Sequence, residues 1–248
     1  MKALEHTTEP LLPPSNLTPE LIERIGHNLD CVKERIEIAC KRCGRSPQEV
    51  TLMAVSKTQP LEALWAAYLS GQRLFGENRV AEGAQKRLQL PRDANMVLIG
   101  HLQSNKAKEA AFLFDGIQSI DKVSTLQALE KHLPADKVLQ VLFEVNTSGE
   151  DAKEGVRNWQ DLLQLTSWIL EHPRFSLQGL MTMAPFTTDP LPVRRSFAQL
   201  RRDRDLLEKE FSLKLPVLSM GMSGDFEWAI EEGSSLVRVG TLVFGGRM

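Results

Sequence analysis

Short β-prone runs alternate with amphipathic helical stretches along this chain, and that alternation constrains its fold more than any other feature. The runs lie at Thr51 to Val55, Arg73 to Phe75, Val97 to Ile99, Gly116 to Ser119, Val138 to Val145, Leu177 to Leu180, Val217 to Ser219 and Leu236 to Val239. Helical spacing fills the intervals: Leu61 to Leu69, Val80 to Leu88, Lys106 to Phe114, Val123 to His132, Trp159 to Glu171, Val193 to Phe211 and Phe226 to Glu232. Strand followed by helix, repeated, specifies right-handed crossovers and a parallel sheet. Eight strands close a (β/α)8 barrel, and a chain of 248 residues is the size of one such unit. No G-x-G-x-x-G follows the first strand, which counts against an open doubly wound sheet. The expected fold class is α/β, a single (β/α)8 TIM barrel.

One more helical pattern, Leu17 to Cys43, precedes the first strand, with Thr18 placed as N-cap, Pro19 in the first turn and Gly44 as the stop. Gly240 to Met248 is too short for a full final helix, so the N-terminal helix is expected to cover that gap on the outside of the barrel. Residues 1–15 read as a flexible tail and 16–248 as the barrel. The tail carries Glu5, Glu9 and paired prolines where a secretory signal needs an apolar core, and no stretch nears the roughly 18 apolar residues of a membrane span. A cytoplasmic protein is expected.

Thirty Lys+Arg against 32 Asp+Glu give a net charge of −2, without the basic excess that nucleic-acid binding rests on. Arg194, Arg195, Arg201, Arg202 and Arg204 form a local basic group, but they alternate with Asp203, Asp205, Glu208 and Glu210 and read as a solvated helix face. Cys31, Cys40 and Cys43 fall in one helical pattern with no second ligand pair at zinc spacing, and read as ordinary reduced thiols.

Chemically conspicuous residues follow the strands, where a (β/α)8 barrel gathers its loops into one mouth. Lys57 ends the run Leu52-Met53-Ala54-Val55, so its amine is expected at the rim, partly desolvated and able to capture an aldehyde. Gly221-Met222-Ser223-Gly224-Asp225 and Val239-Gly240-Thr241 follow the seventh and eighth strands. Their glycines, hydroxyls and helix starts suit a phosphate, and these are the loops where such barrels often bind one. Arg238 alternates with Val237 and Val239, facing either the helix layer or the lumen, as a structural ion pair or as a guanidinium held against an aromatic nitrogen. An aldehyde-seeking lysine, a phosphate cradle and a ring-facing arginine together describe pyridoxal 5′-phosphate (PLP).

The segments Ala54-Val55-Ser56-Lys57-Thr58, Phe75-Gly76-Glu77-Asn78, Ile99-Gly100-His101-Leu102-Gln103-Ser104-Asn105-Lys106, Ser119-Ile120-Asp121, Gly179-Leu180-Met181-Thr182-Met183, Leu218-Ser219-Met220-Gly221-Met222-Ser223-Gly224-Asp225 and Val237-Arg238-Val239-Gly240 closely resemble the YggS/PROSC family of PLP homeostasis proteins. The resemblance spans about Leu17 to Arg247. It implies a monomeric, alanine-racemase-like barrel of PLP fold type III that holds PLP as a Schiff base on Lys57. Ser223, Gly240 and Thr241 would hold the phosphate, Arg238 would stand near the pyridine nitrogen, and Asn78, His101 and Met183 would line the ring. The implied role is intracellular vitamin B6 homeostasis without catalytic turnover, with PLP-dependent apoenzymes as recipients and no metal. Arg79 stands where relatives often carry tyrosine, and Ala152-Lys153 where Ser-Lys is common; both departures touch the periphery.

A guanidinium only donates hydrogen bonds, so an arginine partner leaves the pyridine nitrogen unprotonated and the ring a weak electron sink. Racemases of similar fold also need a second base, and the one tyrosine, Tyr68, falls on a helix that faces away from the mouth. Once the barrel and the N-terminal helix are assigned, no residues remain for the extra domain that carries such a base. The competing readings are a fold-type III PLP enzyme, such as a racemase or decarboxylase, and a cofactor-free lyase in which Lys57 attacks a sugar phosphate.

Overall fold

The computed structural model describes residues 11–246. Residues 1–10 of the expected tail lie outside the described residues, and 11–15 lead irregularly into helix α1 (Pro19–Arg42). Thr18 Oγ1 accepts the Leu21 amide at 3.3 Å, and Pro19 opens the helix where no amide partner is needed. Gly44, at φ +70°, takes the chain out of the helix in the left-handed conformation that glycine allows.

Eight strands follow, each succeeded by a helix: β1 (Thr51–Val55), α2 (Leu61–Leu69), β2 (Leu74–Glu77), α3 (Val80–Arg87), β3 (Asn95–Leu98), α4 (Ala107–Leu113), β4 (Gly116–Ile120), α5 (Val123–Glu130), β5 (Leu139–Glu144), α6 (Trp159–Leu170), β6 (Phe175–Met181), α7 (Pro190–Phe211), β7 (Val217–Ser219), α8 (Phe226–Glu231), β8 (Leu236–Val239) and the single turn α9 (Thr241–Phe244). All neighbours are parallel, and β8 pairs with β1 through Thr51↔Leu236 to Ala54↔Val239, closing the barrel in strand order. The expected eight-stranded barrel is what forms.

Alternation along the strands builds two apolar cores. Ala54, Phe75, Leu98, Ile117, Phe143, Leu180, Leu218 and Val237 point outward and pack under the helices. Met53, Val97 and Leu236, with Leu74, Ile99 and Val217, make a separate cluster inside the barrel. Helix α1 presents Ile25, Leu29, Val32 and Ile36, one stripe at helical spacing, to the outer core. It lies on α8 and α9: Asn28 Nδ2 donates to Val243 O at 2.9 Å, and the Arg35 guanidinium holds Glu227. The short C-terminal turn is thereby covered, as the sequence led one to expect.

The arginine-rich face of α7 departs from expectation in part. Arg195 and Arg202 are exposed, but Arg194 pairs with Glu231 and Glu232, and Arg201 donates to Glu232 O at 2.7 Å, so this face clamps α7 onto α8. Helix α7 also starts three residues earlier than the periodicity suggested. Asp189 accepts the Leu191 amide at 3.0 Å, and Pro190 and Pro192 sit in the first turn, where proline costs no hydrogen bond. Cys31, Cys40 and Cys43 are free thiols, and burial pushes the Cys40 thiol up. No helix among the described residues is long and apolar enough to cross a membrane.

Candidate functional site

The C-terminal ends of the strands form the mouth. Along β1 Met53 faces the lumen, whereas Ser56 turns outward and donates to Glu77 Oε1 at 2.7 Å. The same alternation brings Lys57 back to the lumen side of the rim, where it is half buried. Thr58 follows at φ +63°, a left-handed conformation that a β-branched residue adopts only under constraint, at a cost of about 1–3 kcal/mol. The constraint is visible: the Thr58 amide donates to Glu82 Oε1 at 2.5 Å.

Beneath this turn lies a buried ion network that the sequence did not single out. Lys86 Nζ donates to Glu77 Oε1, Glu82 Oε1 and Ser56 O, each at 2.7 Å, so its three protons meet three acceptors. Glu77 is completely buried; burial pushes its carboxyl up, against the pull of Lys86 and Ser56, and its Oε2 has no partner among the described residues. Glu82, held by Lys86, in turn holds Thr58. Lys57 therefore stands on a turn whose shape is set from below.

Arg238 faces the lumen, which settles the choice left open by alternation. Its NH1 donates to Ser219 O (2.7 Å) and Ser219 Oγ (2.8 Å), and its NH2 to Thr182 O (2.8 Å). Ser219 Oγ donates on to Gln118 Oε1 at 2.7 Å. Gln118 is on β4 and Ser219 on β7, with β5 and β6 between them, so this contact can pass only through the barrel interior. Burial pushes the guanidinium down to about 10, opposed by Glu144 and Asp225, so it stays charged at neutral pH.

Glu144 ends β5 and is 4% exposed. Burial pushes its carboxyl up to about 7, with Asp121 and Glu154 adding to the shift and Arg238 opposing it. Between about pH 4.5 and 7 the folded chain keeps a proton that the unfolded chain has released, so stability falls as pH rises through that window. Glu144→Gln keeps the shape and cannot ionise. It is expected to raise the melting temperature relative to the parent at pH 8 and to leave it nearly unchanged at pH 4.5. Thermal unfolding at both pH values checks this, and equal shifts would refute it.

The loops after β7 and β8 lie side by side and are joined by the Arg238 amide, which donates to Gly221 O at 2.9 Å. Gly221, at φ +97°, lets the first loop turn tightly over α8; a Cβ there would stand 2.6 Å from Ala229 Cβ. Met222 and Asp225 close that turn on each other, with the Met222 amide on Asp225 Oδ1 at 2.6 Å. The next amides, of Ser223 and Gly224, donate to nothing among the described residues. After β8, the Val243 and Phe244 amides return to Gly240 O, while those of Thr241 and Leu242 are likewise undonated. Ser223 is half buried and Thr241 exposed, so two hydroxyls accompany these four amides. Undonated amides at adjacent turns make an anion-binding concavity. A Cβ on Gly240 would meet Val55 O at 3.1 Å, which fixes the second loop close to β1.

Lys57, Ser223, Arg238, Gly240 and Thr241 thus belong to three consecutive strands or their exits, β7, β8 and β1. Asn78 is half buried after β2, and a Cβ on Gly100 would lie 2.2 Å from Asn78 O, so the exits of β2 and β3 touch. His101, after β3, and Met183, after β6 and next to the Thr182 carbonyl that accepts from Arg238, are exposed on the rim. His101 Nδ1 is 3.9 Å from Glu154 Oε1, and Met183 borders a shallow dimple shared with Glu144, Lys153 and Glu154. Tyr68 sits at the other end of the molecule, donating to Asp93 Oδ1 at 2.7 Å under the Arg73 guanidinium; Arg73 and Asp93 precede β2 and β3.

A closed parallel barrel with these groups on the exits of β7, β8 and β1 defines the alanine-racemase-like class, and the family described as alanine racemase, N-terminal domain, matches residues 27–248. An alanine racemase from E. faecalis, 16% identical, shares the fold with a TM-score of 0.72 over 91% of this chain and 58% of that one. A pyridoxal phosphate homeostasis protein of Aquifex aeolicus (strain VF5) is 42% identical over 221 residues, covering 88% of this chain and 96% of that protein. PipY of Synechococcus elongatus PCC7942, solved with PLP bound, is 33% identical with a TM-score of 0.77 over 89% of this chain and all of that one. The chain belongs to the family of pyridoxal phosphate homeostasis proteins.

Proposed function

We propose that this protein binds PLP at the mouth of its barrel and serves intracellular vitamin B6 homeostasis, holding the cofactor without turning over a substrate. The observation that carries this reading is the buried Arg238 guanidinium in the lumen, flanked by two loops with undonated amides and by Lys57 on the adjoining strand. PLP supplies an aldehyde that an amine can capture reversibly and a pyridine ring that can act as an electron sink. Lys57 Nζ is the nucleophile toward that aldehyde. The amides and hydroxyls of Ser223, Gly240 and Thr241 receive the phosphate. Arg238 donates toward the ring nitrogen, while Asn78, His101 and Met183 border the ring. PipY, a relative with 33% identity, has a structure with PLP bound, which supports the assignment.

The non-catalytic reading rests on two features. Arg238 can only donate, so it keeps the ring nitrogen unprotonated and the ring a weak electron sink. The chain's one tyrosine is committed to Asp93 at the opposite end of the barrel. Residues 16–248 then act as one monomeric cofactor-holding unit, with PLP-dependent apoenzymes as recipients. Purified protein mixed with PLP should turn yellow, and borohydride followed by peptide mass analysis should fix one cofactor at the Lys57 peptide. Amino acids incubated with the loaded protein in deuterium oxide should keep their α-hydrogen. A colourless protein would refute the binding, and rapid exchange into one amino acid would make it an enzyme.

A further inference from the structure

The lumen has a second opening, at the end opposite the mouth. The strand residues Leu74, Val97, Val217 and Leu236 wall it, and Gly116 leaves a gap where a side chain could stand. Barrels of this type fill such layers with bulky branched side chains. Here a hollow of about 130 Å³ remains. No charged side chain lines it, and its polar side chains are the glutamines Gln118, Gln140 and Gln178.

Gln118 distinguishes this hollow from an imperfectly filled barrel end. It is only 5% exposed, and its orientation is dictated from the other side of the lumen. Arg238 NH1 donates to Ser219 Oγ, and a guanidinium cannot accept, so the hydroxyl must send its own proton elsewhere. It sends it to Gln118, which fixes the oxygen of that amide toward Ser219. The NH2 end is left on the cavity wall, open to the hollow and without a hydrogen-bond partner among the described residues. It can donate to an acceptor that enters the hollow. Gln178 is differently placed, because its Nε2 already donates to Ser176 Oγ at 2.6 Å.

We propose that the barrel base is a binding site for a small uncharged molecule with an apolar body and one hydrogen-bond acceptor, a ketone or an amide for example, recognised by Gln118 Nε2. The walls supply apolar contact and the glutamine supplies direction. A carboxylate or an ammonium would shed water against a wall that offers no opposite charge, a cost nothing there offsets. The site is separate from the mouth and does not depend on PLP being the ligand there.

The test uses the purified, isotope-labelled full chain without added PLP and cyclohexanone as probe, read by the side-chain amide resonances of Gln118. Saturable displacement of those resonances is expected, with cyclohexanecarboxylate and cyclohexylammonium weaker by about tenfold or more. Val217→Phe, which fills the hollow, should abolish the response. Gln118→Met, which keeps the volume and removes the donor, should abolish saturable shifts at the Val97 and Val217 backbone amides, and it decides the matter should Val217→Phe not fold. No saturable response in the parent overturns the proposal. So does an equal response to the charged probes, or an unchanged response in Gln118→Met.

Discussion

Lys57→Ala is expected to remain folded and to lose the yellow colour outright when PLP is added, with nothing trapped specifically by borohydride. The lysine is half buried, and no hydrogen bond or ion pair to its amine is present among the described residues, so shortening it removes little that holds the barrel. A surface-type change of this kind shifts stability by about 0.5 kcal/mol or less. The turn that carries it stays in place because Thr58 is held through its backbone amide by Glu82, not through Lys57. What is lost is the one amine on the lumen side of β1, beside the loops with undonated amides. Residual PLP should then be retained only through the phosphate loops and leave on dialysis. Absorbance, dialysis and peptide mass analysis of the parent beside the variant decide it; a persisting adduct at a single other lysine would move the site away from Lys57. Lys153 serves as a control at the rim, and its amine is already engaged by Glu150 and Ala184 O, both at 2.8 Å.

Lys86→Met should cost far more in stability than any change at the mouth itself. Removing one partner of a buried ion pair typically costs about 3–5 kcal/mol, because the remaining charge is left without compensation. Here that charge is Glu77, wholly buried and already short of a partner for Oε2. For a chain of this size the loss corresponds to a fall in melting temperature of about 6–20 °C. Glu77→Gln added to Lys86→Met should recover a large part of it by removing the stranded charge. Thermal unfolding of the parent, the two single variants and the double variant forms a complete cycle. A drop of under 2 °C in Lys86→Met, or no recovery in the double variant, would show that the network contributes little. PLP uptake by the folded fraction of Lys86→Met should also weaken, since Glu82 loses the contact that keeps it under Thr58.

The order of elements was legible because alternation and helical spacing are local. Leu61–Leu69, Thr51–Val55, Val217–Ser219 and Leu236–Val239 have the limits that periodicity assigned. Boundaries slipped where a non-local term sets them. Strand β3 begins at Asn95 because it pairs with Leu74, and α7 begins at Pro190 because Asp189 caps it. Lys57, Arg238 and the two loops with undonated amides were legible by position, as the chemically unusual residues at strand ends. Lys86, Glu144 and Gln118 were not, because burial of a charge or an amide leaves no mark in a local pattern. The Ser219–Gln118 contact joins residues 101 positions apart, and only barrel closure brings them together. Polar residues at lumen parity late in a strand, such as Glu144 and Ser219, were the available signal.

Helix α1 has a consequence for how the protein is made. Its apolar stripe is covered partly by α2 but chiefly by α8 and α9, and the strand after it closes the barrel against β8. At roughly 5–20 residues per second, the start of the chain waits on the order of 10–40 s on the ribosome before those partners emerge. During that interval Ile25, Leu29, Val32 and Ile36 face water or a chaperone. The packing of α1 is therefore completed only when α8, β8 and α9 have joined it. Variants that loosen this seam, at Asn28 or Arg35, should lower the yield of soluble protein during synthesis more than they lower the stability of protein already folded.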